Sequence, residues 1–122
     1  MRRVREPGRL TPAEASRAER RFEKAVNMGP DEIEAWLRTP ESLSVGFKYP
    51  GDDRSVGWRS GKRIVELLRR GPRTLSDWQH MRKVAGYVAR HLAQRPAGDV
   101  RRTRWRYSLM NWGHDPFGKG EL

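Results

Sequence analysis

The chain contains no cysteine among its 122 residues. Disulfides, thiolate zinc sites and cysteine nucleophiles are excluded together. No apolar run approaches the roughly 20 residues that a membrane-spanning helix needs. The N-terminal stretch MRRVREPGRL is basic with no apolar segment behind it, unlike a secretory signal. A cytoplasmic, nucleoid-associated protein is therefore expected. Alternating runs of β-branched residues, the mark of strands, are missing as well. So are the H-E-x-x-H, Walker and G-x-G-x-x-G patterns. Apolar content is only 35%, which leaves a thin core to be built around five tryptophans.

What is abundant is positive charge. Lysine and arginine number 26 against 15 acidic residues, for a net charge of +11. Of those cations 21 are arginine. The planar guanidinium fork holds phosphate oxygens bidentately, so the bias suits a polyanionic partner. A GC-rich coding sequence produces the same bias with no function behind it.

Periodicity and caps predict an all-α protein of about five helices. Thr11, Pro12 and Glu14 form a capping box for a helix near 12–27, with Ala15, Ala18, Phe22, Ala25 and Val26 on one face. Pro30 opens a second helix, PDEIEAWLR, with Ile33, Trp36 and Leu37 as its buried stripe. Residues 40–57 read as a long loop, partly pinned to the core by Phe47, Tyr49 and Trp58. A helix near 59–70 follows, with Ile64, Leu67 and Leu68 inward. Ser76, through an S-x-x-Q box, caps the longest helix, which buries Met81, Val84, Ala85, Val88 and Leu92 and runs to about residue 94. A last helix, roughly 102–112, carries Trp105, Leu109 and Trp112, with Gly113 at its C-terminal cap. The domain spans 11–117, flanked by a disordered basic arm at 1–10 and a flexible tail at 118–122.

Charge is distributed unevenly. Residues 11–47 are net −2, whereas 59–73 are net +5 and both 77–95 and 99–106 are net +3. The asymmetry points to a nucleic-acid face. A membrane surface fits less well, because the apolar stripes are needed for the core, and a merely solvated basic face is the plain alternative. In SVGWRSGKRIVELLRR, Ser60 as N-cap would leave the N–H groups of Gly61, Lys62 and Arg63 free at the positive helix end, where a phosphate binds. A helix starting near Val56, with Gly61 as an internal close-packing site, is the alternative.

DEIEAWLR and SGKRIVELLRR together resemble the helix–extended loop–helix of SAP-type DNA-binding modules, over about a third of the chain and with a longer loop. A fuller resemblance rests on HMRKVAGYVARHLAQRP followed by RWRYSLMNWGHDP, and upstream on VNMGPDEIEAWL and SVGWRSGKRIVELL. Over about residues 20–117 these are similar to a small bacterial and fungal family, domain of unknown function 3140. Gly29 departs from it, standing where Ser or Thr is expected before the proline. The label usual for that family, DNA-binding protein, is what the resemblance implies.

Catalytic and metal patterns are weak. His114-Asp115 reads as a helix-end histidine and a turn cap rather than a general base. His80 and His91, eleven residues apart on one helix, stand about 16 Å apart, too far to share a metal. A zinc site would need the fold to gather His91 and His114. The expectation is a non-enzymatic DNA-binding protein without metal or cofactor. It is sequence-tolerant and favours duplex. Its phosphate contacts would be Arg59, Ser60, Gly61, Lys62, Arg63, Arg69 and Arg70, then Arg82 and Lys83, then Arg101, Arg102, Arg104 and Arg106. Tyr107 is the exposed stacking candidate, and Arg2, Arg3, Arg5 and Arg9 supply an auxiliary arm. The alternatives are an RNA or single-strand binder, and a protein-interaction module using the acidic first helix and the 40–57 loop.

Overall fold

The computed structural model describes residues 10–118. Arg2, Arg3, Arg5 and Arg9, most of the expected arm and nearly all of the expected tail lie outside them. The described residues form six α-helices and no strand: α1 Pro12–Ala25, α2 Pro30–Leu37, α3 Pro40–Leu43, α4 Val56–Arg70, α5 Leu75–Leu92 and α6 Arg104–Asn111. None is long and apolar enough to cross a membrane.

The caps explain where the helices start. Thr11 and Glu14 make the expected reciprocal box, each backbone N–H donating over 3.1 Å to the other's side chain. Gly29 has no side chain to offer α2, and Glu32 supplies half a box by accepting the Gly29 N–H at 3.1 Å. Thr39 caps α3, a turn inside the segment expected to be loop. Ser55 caps α4 by accepting the Trp58 N–H at 3.0 Å, so this helix begins well before residue 59. Thr74, not Ser76, caps α5. Both residues head a box pattern, but the Asp77 carboxylate takes the Thr74 N–H at 3.2 Å, and Ser76 is left to accept from Arg63 at 2.7 Å. Thr103 caps α6 through the Arg106 N–H.

Two helix pairs make the body: α1 lies along α5 and α2 along α4, with α6 touching α2, α3, α4 and α5. Phe22, Ile33, Leu37, Ile64, Val84, Val88, Leu109 and Trp112 meet in one core. Full burial of each such side chain contributes about 1.5–3 kcal/mol. Leu68 and Leu92, expected inward, are exposed instead, because each falls at the edge of its stripe. Trp36 is half-buried, since its indole N–H must reach the Asn111 side-chain oxygen at 2.7 Å.

The C-terminal NWGHD stretch stitches the ends of the fold together. Gly113 adopts φ +80, and its carbonyl accepts the N–H groups of Asn27 and Met28. The Gly113 and His114 N–H groups return to Met110 and Leu109, which closes α6 with a left-handed glycine cap. His114 Nδ1 donates to the Ala25 carbonyl at 2.7 Å, at the end of α1. Asp115 pairs with Arg106 at 3.0 Å and takes the Phe117 N–H.

Candidate nucleic-acid interface

Helix α4 does not present an open start at Gly61. Ser60 and Gly61 lie a full turn inside α4, both buried. A β-carbon at Gly61 would stand 2.6 Å from the Asn111 carbonyl oxygen and 2.9 Å from a Leu37 methyl. The Ser60 hydroxyl faces His80 Nε2 at 3.0 Å. Their N–H groups are in the helix, and Gly61 is the close-packing site. Lys62 of that turn is exposed, its ammonium 5.9 Å from the Trp58 ring centroid and near enough to Glu34 to help Arg69 lower the pKa of that carboxyl.

Several arginines expected to grip phosphate hold carboxylates of the protein itself. Arg63 and Arg70 converge on Asp77, at 3.2 and 3.0 Å. Asp77 is 3% exposed and also accepts the Arg73 and Thr74 N–H groups. The Arg70 hydrogen bond first, then the Arg73 N–H, hold its carboxyl far below the usual carboxylate range. Arg69 bridges Glu34 at 2.7 Å and Asp31 at 2.9 Å, and Arg59 faces Asp52 at 3.3 Å. Arg101 grips Asp99, and Arg106 grips Asp115. Tyr107 is half-buried against Trp36, with ring centroids 5.6 Å apart, and is not a free stacking platform. Phe47 and Tyr49 do not pin the 40–57 segment. They stand out in solvent against each other, at 64% and 59% exposure.

Positive charge collects elsewhere, along the α1–α5 seam. Arg17 and Arg21 of α1 and Arg82 of α5 line one recess together with Glu14, and Arg21, Gln79, Arg82, Lys83 and Gly86 line an adjoining groove of about 430 Å³. Lys83 also borders a third cavity, about 260 Å³, reached past Tyr87 and Arg90. The shared residues make the three a continuous track. Among the described residues, no carboxylate lies within ion-pair distance of Arg17, Arg21, Arg82, Lys83 or Arg90. Summing charge over residues 11–47 hides the contribution of α1, which by itself carries four cations against three acidic residues. Its Arg17 and Arg21, one turn apart, share a face that only the packing against α5 reveals.

Arg102 is exposed near Asp99 and Arg101, and Arg104 reaches the Ser44 carbonyl at 3.1 Å. These two lie outside the α1–α5 track as lined above.

The histidines are occupied by the fold. His91 Nε2 donates to the Trp105 carbonyl at 3.0 Å, and its ring stacks on Tyr87. Burial, with Arg63 and Lys83 nearby, pushes His80 from its ordinary 6.5 down to about 4. Among the described residues no group of three His, Asp or Glu side chains is placed to hold a metal.

No curated protein and no solved structure matches the chain. A family model does match, over residues 21–110, and it spans α2 to α5 whole, the C-terminal end of α1 and all but the last residue of α6. The chain belongs to the family described as protein of unknown function DUF3140.

Proposed function

We propose that this protein binds DNA through the phosphate backbone, without an enzymatic step and with little sequence preference. The observation that carries the reading is the α1–α5 track. Arg21, Arg82 and Lys83 share one groove with no acidic residue in its wall. Like charges held this close repel one another, and a line of phosphates relieves the repulsion. Guanidinium and ammonium groups along a shallow groove between two helices grip phosphate and read no base edges. Duplex is the favoured form, because the track follows two rigid helices rather than a flexible channel.

Internal ion pairs reduce the number of phosphates expected to be contacted. With Arg17, Arg21, Arg82, Lys83 and Arg90 engaged, log K falls against log salt with a slope of about −4.5. Titration of duplex DNA, single-stranded DNA and RNA of equal length across a salt series tests the proposal. The expected result is duplex binding with that slope. A preference for RNA, or binding only to a protein partner that survives nuclease and high salt, overturns it.

A further inference from the structure

We infer that the cavity at the end of the track is a seat for one unpaired nucleobase of a DNA strand, with Lys83 and Arg90 holding the phosphates beside it. This rests on the DNA reading above. The cavity, at about 260 Å³, is smaller than the usual drug-sized pocket and suits a single flat ring. Its inner wall is aromatic: Tyr87 stacks on Trp112 with centroids 4.2 Å apart and planes 16° apart. Its outer wall is Phe47 and Tyr49, edge to face at 4.9 Å. Two large rings this exposed add little to the core.

The rings are nevertheless held on an ordered segment. The Phe47 carbonyl accepts the Val56 N–H at 2.9 Å, and the Tyr49 carbonyl accepts the Asp52 N–H at 3.0 Å. Gly46, at φ +95, lies so close to Ser55 that a β-carbon there would stand 2.8 Å from its hydroxyl. The aromatic pair is therefore presented from a fixed position.

The electrostatics select the occupant. No carboxylate lines the cavity, and Lys83 belongs to both the cavity and the phosphate groove. Arg90 is rooted two helical turns further along α5, and its guanidinium folds back over Gly86, which lines the groove. A strand following the track thus keeps its phosphates on cations while one base turns inward. Asn111, also in the lining, has its side-chain amide committed to Trp36 and Ser42. Recognition then comes from stacking, which every base satisfies.

The test compares two DNA hairpins, one blunt and one with a short single-stranded overhang carrying 2-aminopurine. The expected result is about tenfold tighter binding of the overhang hairpin, with its fluorescence quenched. Phe47→Ala with Tyr49→Ala removes the preference and the quenching, yet leaves blunt-hairpin affinity and its salt slope unchanged. Arg82→Glu with Lys83→Glu weakens both hairpins alike. Equal wild-type affinity for the two hairpins without quenching overturns the base seat and leaves the phosphate track standing. Quenching that persists in the double alanine variant overturns it too. Failure of both hairpins to bind overturns the DNA reading itself.

Discussion

The α-carbon of Gly61 faces the carbonyl oxygen of Asn111 so closely that a β-carbon there would approach to 2.6 Å. This contact draws α4 onto α6, and its neighbour is backbone, which cannot rotate aside. Gly61→Ala is expected to destabilise the protein by about 2 kcal/mol. That outweighs the roughly 1 kcal/mol that alanine gains over glycine in a helix. Gly86→Ala is the control, since its β-carbon would meet only the flexible tip of Arg90. Thermal melts should show a lowered midpoint for the first variant and an equal or raised one for the second.

Asp77 joins α4 to α5 by accepting from Arg63, Arg70 and two backbone N–H groups. Asp77→Ala leaves two part-buried guanidinium groups and two backbone N–H groups without their acceptor and removes the N3 half of the α5 box. The expected loss is about 3 kcal/mol in a denaturant titration. For the same reason Arg63→Glu places a carboxylate against Asp77 and unfolds the α4–α5 junction. Weaker DNA binding by that variant would report damage to the fold.

His80 makes stability depend on pH. The unfolded imidazole takes its proton near 6.5, the folded one only near about 4. Between these values the unfolded chain binds more protons, so stability is level above 6.5 and falls as pH falls through the window. Asp77 acts in the other region: its contribution is present above the ordinary carboxyl value of 3.8 and is lost only well below it. A melting midpoint followed across the window should drop for the wild type and stay nearly flat for His80→Gln. An equal drop in both would remove His80 as the cause.

Asn111 is 1% exposed and is the polar hub of the α2–α3–α6 junction. Its side-chain oxygen accepts from Trp36 at 2.7 Å and from Ser42 at 2.6 Å, and its amide donates to the Ser42 carbonyl at 3.1 Å. Asn111→Leu strands those groups away from water and should cost about 2–3 kcal/mol. Trp36→Phe, which removes one donor while the hub remains, should cost less than about 1.5 kcal/mol. Equilibrium unfolding of both variants measures the difference.

The binding track yields a contrast between cations that carry equal charge. Arg82→Glu with Lys83→Glu should weaken duplex DNA binding at least tenfold and flatten the salt slope by about two. Arg69→Glu with Arg102→Glu, the same change of charge made at two exposed residues off the track, should change affinity less than threefold. Gel-shift titrations of the two variants at fixed salt decide the matter, and equal losses would contradict the placement of the site on α1 and α5.

The helical fold was legible in the chain because its signals are local. Thr11 to Glu14, the proline at the start of α2 and the glycine after α6 each act within a few residues, through backbone groups that a helix end leaves unsatisfied. The stripe Met81, Val84, Ala85, Val88 likewise depends only on 3.6-residue periodicity. Rival caps were harder. Ser60 against Ser55, and Ser76 against Thr74, differ only in what packs against each, and that is a tertiary matter.

The sequence by itself determined that the protein would be helical, free of thiol chemistry and rich in positive charge. Only the tertiary structure decided where that charge is available. Asp77 lies 7 residues from Arg70 and 14 from Arg63, and Asp31 lies 38 from Arg69, so their pairing appears only once helices meet. The same docking brings Arg21 beside Arg82 across the α1–α5 seam. Charge counts along a chain sum over every orientation, whereas Coulomb attraction falls with distance in space. Packing therefore neutralised one set of arginines and left another facing outward.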